Sequence, residues 1–322
     1  MEEISEQQGA PRPNAAPEPF FSYSRYLRQK YHATVYRVAV DAGFSCPNRG
    51  NVRTNPGCIF CAGSGSRAPY TGQTKEIPEQ IEGGIRFLKQ RYNAEKFILY
   101  FQAFSGTNKP VADLANIYNT ALALHPFVGM SVSTRPDCID PEKAKFLASF
   151  NTQSLEVWVE LGLQSIHSQT LLRINRGHTP EDFFKAYAML KEAGVKVAVH
   201  LILGLPGEDR TMIRQTVRTL ARLRPDGVKL HNLHVIRGTV LHEQYLQGEI
   251  TVPSCERYLE YTIDTLTNLP EETVILRLQT DTPAEDLVAP ARFPAKDAFY
   301  RMVCGEMNKH EIFQGINFEH SP

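Results

Sequence analysis

An α/β fold built on a parallel sheet is predicted by two features of this sequence. Short, nearly continuous apolar runs rich in β-branched residues alternate with longer segments of helical period. The alternation repeats six times before the pattern weakens. Strands that read as unbroken apolar runs are covered on both faces, as in a parallel sheet with crossover helices. Six units are short of a closed eight-unit barrel, which usually takes ~250 residues. The pattern fits a partial, open barrel or an open doubly wound sheet.

Thr34–Val40 is the first strand. Lys96–Phe101, Phe127–Thr134, Leu155–Leu163, Val195–Gly204 and Gly227–Ile236 follow. Helices are predicted between them at Ile77–Tyr92, Val111–Leu124, Pro141–Ser149, Asp182–Ala193 and Thr211–Leu223. Beyond Ile236, a helix at Ser254–Leu269, a strand at Val274–Leu278 and a helix at Ala295–Lys309 form a C-terminal extension. There is no internal repeat and no clean linker. The organisation read from this is a disordered tail over 1–18, a β/α body over 19–236 and an extension over 237–322 packing on it.

The 322 residues suffice for a substantial core, and 35 basic residues balance 35 acidic ones. That balance excludes a global basic field for nucleic acid and leaves only local patches. No apolar run reaches the ~18 residues that span a bilayer. The N-terminus is acidic and proline-rich without an apolar core, so it reads as a disordered tail and not as a signal peptide. A cytoplasmic protein is expected. In a reducing cytoplasm, clustered cysteines are metal ligands or reactive thiols in preference to disulfides.

The cluster in question is CPNRGNVRTNPGCIFC, from Cys46 to Cys61. Eleven residues separate Cys46 from Cys58, and two separate Cys58 from Cys61. It follows the first strand directly, at a strand C-terminal end, where barrel and open-sheet enzymes place their chemistry. Pro47, Gly50, Pro56 and Gly57 make the spacer a loop able to curl around a small object. Thiolates hold iron–sulfur clusters, and three ligands leave one iron open. The competing reading is zinc, for which His32 could be a fourth ligand. Cys138, Cys255 and Cys304 are scattered and read as ordinary buried thiols.

The triplet and its surroundings resemble the radical S-adenosylmethionine (SAM) enzymes, specifically the bacterial YhcC-type group. The core of that group is similar to the catalytic subunit of Elongator, a tRNA wobble-uridine modifier. GFSCPNRG, YFQAFSGT, STRPDC, VWVELGLQS, RINRGHT, HLILGLPGE and VKLHNLHV fit the group's pattern in order, from about Thr34 to Ile236. The C-terminal RLQTDTP also fits. The resemblance implies a partial (β/α)6 TIM-like barrel with a C-terminal extension. It also implies a [4Fe-4S] cluster on Cys46, Cys58 and Cys61 whose open iron binds SAM, a reducing electron donor, and cleavage of SAM to a 5′-deoxyadenosyl radical.

It further implies SAM contacts at the successive strand ends. Phe60 would lie over the adenine, with simple packing as the alternative. Gln102 and Ser105 stand where the superfamily usually has a glycine-rich segment for the SAM amino group. Ser133 and Arg135 end the third strand. Glu160 is a carboxylate inside an apolar strand, which is costly without a partner. It is read as reaching the SAM ribose or amino group, with Gln164 beside it, against a structural ion pair as the alternative. Arg173 or Arg176 would pair with the SAM carboxylate, Arg173 being preferred. Gly204 lets the backbone approach the adenine, and Leu233 and Val235 would bond its edge through their backbone. His200, His231 and His234 are candidates for a polar, substrate-facing wall.

Two basic segments suggest tRNA. Arg210, Arg214, Arg218 and Arg222 recur every four residues on one helix face, with little acidic neutralisation nearby in sequence. Arg25, Arg28 and Lys30 interleave with tyrosines, a combination suited to splayed RNA bases. A solvated helix face and a packed N-terminal segment are the respective alternatives. The chain is too short after the sixth strand for an acetyltransferase domain, so acetyl transfer is not expected. A radical SAM enzyme acting on a small metabolite or peptide, and a non-enzymatic zinc or RNA-binding module, are the competing functions.

Overall fold

The structure is a computed structural model describing residues 18–50, 57–63 and 76–319. The tail expected over 1–18 lies, up to residue 17, outside the described residues, as does Pro56 of the cysteine loop. In chain order, α1 (Tyr23–Tyr31) precedes β1 (Val35–Val40). Then come α2 (Ile77–Tyr92), β2 (Lys96–Phe101), α3 (Val111–Leu122), β3 (Gly129–Thr134), α4 (Pro141–Ala148) and β4 (Glu156–Gln164). The chain continues through α5 (Ser168–Arg173), α6 (Pro180–Glu192), β5 (Lys196–Leu203), α7 (Arg210–Arg222) and β6 (Gly227–Asn232). The C-terminal part holds β7 (Val235–Ile236), α8 (Val240–Leu246), α9 (Cys255–Asn268), β8 (Val274–Arg277), β9 (Leu287–Ala289) and α10 (Lys296–Lys309).

The main sheet runs β1-β2-β3-β4-β5-β6-β8, every neighbouring pair parallel. It curls into a partial TIM-like barrel. The six predicted strands are its first six, and the strand expected in the C-terminal extension adds a seventh beside β6. Side chains alternate in direction along a strand, and the cores follow that alternation. Val38, Val40, Phe97, Leu99, Met130, Val132, Val157, Val159, Val197 and Val199 pack with helix residues such as Leu114, Phe183, Leu190, Val217 and Leu220. The intervening positions Val35, Ile98, Trp158, Ala198 and Val274 face inward and pack with Tyr23 and Leu27 of α1.

α1 therefore plugs the N-terminal end of the barrel. Its sequence hid this role: only Tyr23 and Leu27 are buried, four residues apart, among basic and tyrosine side chains. Lys30 and Lys196 pair with Glu156, which also accepts from the Tyr26 hydroxyl (2.7 Å) and the Trp158 ring N–H (2.7 Å). The basic-aromatic segment read as an RNA contact is thus engaged at the end opposite the cysteines. Arg25 lies over the Phe21 ring, and Arg28 stands 4.0 Å from Glu18.

The stretch Gly227–Ile236, predicted as one strand, breaks after Asn232. There the Asn232 side chain accepts from the Thr280 N–H (2.9 Å), and the chain turns away to pair β7 antiparallel with β9. Two short helices, α5 and α8, were also not predicted. Among the described residues no helix is long and apolar enough to cross a membrane.

Leu27 is 3% exposed under the sheet. Leu27→Ala is expected to cost about 2–5 kcal/mol of stability, measured by chemical denaturation. A loss below about 1 kcal/mol would mean that α1 does not close the barrel.

Candidate active site

The strands are parallel, so all their C-terminal ends open on one mouth, and the cysteine loop lies there. Cys58–Cys61 forms a turn closed by the Cys61 N–H donating to the Cys58 carbonyl (3.0 Å). It is fastened on two sides. The Ile59 N–H donates to Ile174 O (3.1 Å), and Leu241, at the start of α8, donates its N–H to Ile59 O (2.9 Å). Asn175 donates to Gly57 O (2.8 Å), and Asn48 donates to Asn175 O (2.6 Å). Arg49 binds the carbonyls of Cys61 (2.6 Å), Ala62 (2.7 Å) and Gly63 (3.1 Å).

The donors around the sulfurs suit an anionic sulfur cluster. The Cys58 Sγ, on a residue 7% exposed, is approached at 3.6 Å by both Asn48 Nδ2 and the Arg176 guanidinium. Burial pushes the Cys61 thiol above its usual range, while the Arg49 charge pulls the other way. Among the described residues no three His, Cys, Asp or Glu side chains converge as ligands of a single metal ion must. A four-iron cube spreads its cysteines over separate irons. His32, the fourth ligand a zinc site would need, caps α1 before β1 begins, at the opposite end of the sheet.

Beneath the mouth is a buried polar layer centred on Glu160. Its carboxylate accepts from Arg37 (2.6 Å), Tyr100 (2.7 Å), Ser131 (3.2 Å), Ser133 (3.4 Å), His200 (2.8 Å) and Lys229 (2.9 Å). Burial alone would raise its pKa. The Lys229 and Arg37 charges and the His200 hydrogen bond outweigh that and hold it well below the usual carboxylate range. Burial pushes the His200 pKa down to about 4, so the neutral ring donates to the carboxylate.

The Glu160 side chain is 0% exposed and both oxygens accept from protein donors, which is the structural ion network given above as the alternative to a SAM contact. Ser133, bonded to Tyr100 (2.9 Å) and Glu160, belongs to the same layer. Ser105 is buried, bonded to the Thr134 hydroxyl (2.9 Å), and accepts from the Arg135 N–H (3.1 Å), pinning the loop after β2 onto the end of β3. Gln102 lies at the end of β2, half-buried.

Arg176, and not Arg173, is placed beside the cysteines. Its guanidinium lies over Gly162, where a Cβ would come within 2.5 Å of it, and it donates to Gly162 O (3.1 Å) and to the His178 ring (2.8 Å). Gln164 neighbours it at the end of β4, with φ of 70°. The exposed Arg173 donates instead to Pro206 O (3.2 Å), bracing the loop after β5. Gly204 (φ 87°) needs its missing side chain because a Cβ would strike Pro253 at 2.2 Å. Leu233 and Val235 are buried with Ile59, Leu171, Ile174 and Ile202, and Phe60 packs on that group, forming an apolar wall at the mouth. Arg135 is paired with Asp137 (2.8 Å) and binds the Arg176 carbonyl (2.7 Å), bracing the loop that carries Arg176.

The arginine stripe on α7 is neutralised from a helix remote in sequence. Arg210 and Arg214 both pair with Asp264 of α9 (2.5 and 2.9 Å), and Arg218 donates to Asn268 (3.2 Å). The bare basic face expected from local sequence is corrected accordingly. Arg222 remains exposed.

The Radical SAM superfamily profile matches residues 47–220, and the Radical_SAM C-terminal domain profile matches 225–309. The chain belongs to the radical SAM superfamily: it is an enzyme whose cofactors are a [4Fe-4S] cluster and SAM. Within the superfamily it falls in the YhcC-type group, similar to the Elongator core. It is 33% identical to YtqA of Bacillus subtilis, covering 93% of each chain, and 33% identical to YhcC of Escherichia coli, covering 82% of this chain and 84% of that one. It is 34% identical to a tRNA uridine(34) acetyltransferase of Methanocaldococcus jannaschii, covering 89% of this chain and 58% of that one. The Elp3 structure from Methanocaldococcus infernus shares the fold, with TM-score 0.67 and 23% identity, over 88% of this chain and 64% of that one.

Glu160→Ala removes the carboxylate that the buried Arg37 and Lys229 share and is expected to cost about 3–5 kcal/mol, read by denaturant unfolding. Because the folded pKa of Glu160 is depressed, its stabilisation is present above the unfolded value, about 4.3, and is lost as pH falls through the folded one. Stability of the wild type should therefore decline as pH drops below about 4. Glu160→Gln should flatten that decline, and equal acid limbs in the two proteins would contradict the assignment.

Proposed function

We propose that this enzyme modifies tRNA at the wobble uridine, with Cys46, Cys58 and Cys61 holding the cluster. The observation that carries the substrate reading is the sequence identity, running across most of this chain, with an enzyme named for tRNA uridine 34. When bound and reduced, the cluster supplies the electron that cleaves SAM and so generates the 5′-deoxyadenosyl radical. The residues of this chain bind, orient and exclude water. Arg176, beside Cys58, places a fixed positive charge where a SAM carboxylate would need one. Phe60, Leu233 and Val235 give the adenine an apolar wall. Asn48 and Arg49 hold the cysteine turn in shape while Arg135 braces the loop after β4. A reducing donor and a cytoplasmic setting complete the reading. Arg25, Arg28, Lys30, Arg210, Arg214 and Arg218 are engaged within the protein. An RNA contact is therefore better sought at the rim, where Leu172 and Leu246 are 73% and 71% exposed.

Anaerobically reconstituted enzyme given dithionite and SAM should form 5′-deoxyadenosine. Addition of tRNA from a strain lacking the gene should raise the yield severalfold. Cys46→Ala, Cys58→Ala or Cys61→Ala should each reduce formation to background. Cleavage indifferent to that tRNA would remove the RNA and favour a small metabolite or peptide.

A further inference from the structure

Both side chains that approach the Cys58 sulfur stand where a glycine leaves room for them. The Arg176 guanidinium and the Asn48 amide each lie 3.6 Å from Sγ. A Cβ on Gly162 would come within 2.5 Å of Arg176 Nη2, and one on Gly177 within 2.2 Å of Asn48 Oδ1. Gly177 has a φ of 71°, which favours glycine on backbone grounds alone. Gly162 has no such reason. It lies within β4 with a φ outside the left-handed region, so its backbone would accept alanine. The space above it is occupied by the guanidinium.

His178 holds the same guanidinium from its other edge. Arg176 Nε donates to His178 Nε2 (2.8 Å), Nη2 donates to Gly162 O (3.1 Å), and Nη1 faces Cys58 Sγ. An arginine N–H can only donate. His178 Nε2 must therefore present its lone pair, and the ring proton sits on Nδ1, 3.2 Å from Thr179 O. Gly162 O also lies 3.1 Å from His178 Nε2, and in that tautomer it is served by Arg176 instead. Burial, and next the Arg176 charge, push the ring pKa down to about 4, which keeps Nε2 an acceptor at neutral pH. Arg176 and His178 are 8% and 7% exposed. All three guanidinium nitrogens are thus engaged, and a side chain rich in rotamers is held in one orientation.

We propose that His178 and Gly162 are positioning residues for the cluster: they fix Arg176 as a hydrogen-bond donor to the Cys58 sulfur and thereby raise the cluster's reduction potential. Reduction adds one negative charge. A fixed guanidinium and a hydrogen bond to sulfur stabilise that charge, the more so where water is excluded. The inference rests on the reading that Cys58 is a cluster ligand, and it deepens that reading by naming what tunes the ligand.

The test is a redox titration of the anaerobically reconstituted whole chain, without SAM, followed by electron paramagnetic resonance. His178→Ala should lower the midpoint potential by about tenfold in the reduction equilibrium, ~59 mV for a one-electron couple. His178→Gln, whose side-chain oxygen can accept the Arg176 Nε–H, should restore most of the difference. Gly162→Ala should shift the potential in the same direction, because its methyl group displaces the guanidinium from the opposite side. It is also the second variant should His178→Ala not melt cooperatively. A potential unchanged in a folded variant, even a less stable one, overturns the inference, and so does glutamine that restores no more than alanine. A Cys58→Ala protein that reconstitutes the wild-type cluster signal removes the ligand reading and this inference with it. A signal lost in Cys58→Ala, with a potential that folded His178→Ala leaves in place, removes this inference alone.

Discussion

One buried carboxylate ties the barrel together. Glu160 of β4 takes side-chain donors from β1, β2, β3, β5 and β6, through Arg37, Tyr100, Ser131, Ser133, His200 and Lys229. A closed barrel is held in its curl by an unbroken ring of backbone hydrogen bonds. In this sheet β1 and β8 are the two edges of the strand order. A central charge drawing on five other strands favours the curl that brings those donors together. The arrangement is costly to bury and more costly to break. It lies directly above the α1 plug, whose Tyr23 ring packs under the Arg37 guanidinium.

The mouth depends on a different device. The cysteine turn takes its shape from the polar side chains of Asn48 and Arg49 within the loop itself and of Asn175 after β4, and from the backbone N–H of Leu241 in the first turn of α8. The loop after β4 carries Arg176 to Cys58 and is braced in turn by Arg135 from the end of β3. The shape of the cysteine turn and the position of the Arg176 charge beside it are therefore set by the same few hydrogen bonds. Preorganisation of this sort lets the protein position a cofactor whose chemistry is its own.

Much of the fold was legible because the strands are long apolar runs and the helices carry clear caps, such as Thr179 and Asp182 at α6. The six strands and their helices fall within a few residues of the sequence reading. The cysteine triplet was legible from spacing and from its place after β1. What was hidden depended on tertiary partners. The α1 plug is polar in composition, and only packing under Trp158 and Val35 defines it. The partners of Glu160 were each visible as polar residues within apolar strands, Arg37 in TVYRVAV and Lys229 in VKLHNL, but no local rule joins them. The neutralisation of Arg210 and Arg214 by Asp264 spans about fifty residues of sequence.

The central claim is that Cys46, Cys58 and Cys61 hold a [4Fe-4S] cluster with an iron open to SAM. Electron paramagnetic resonance of the dithionite-reduced, anaerobically reconstituted protein, recorded with and without SAM, tests it most directly. The account predicts the signal of a reduced [4Fe-4S] cluster whose line shape changes on addition of SAM, as SAM binds the iron. A signal that SAM leaves unaltered, or a freshly purified protein holding zinc with no iron cluster to reduce, would contradict it.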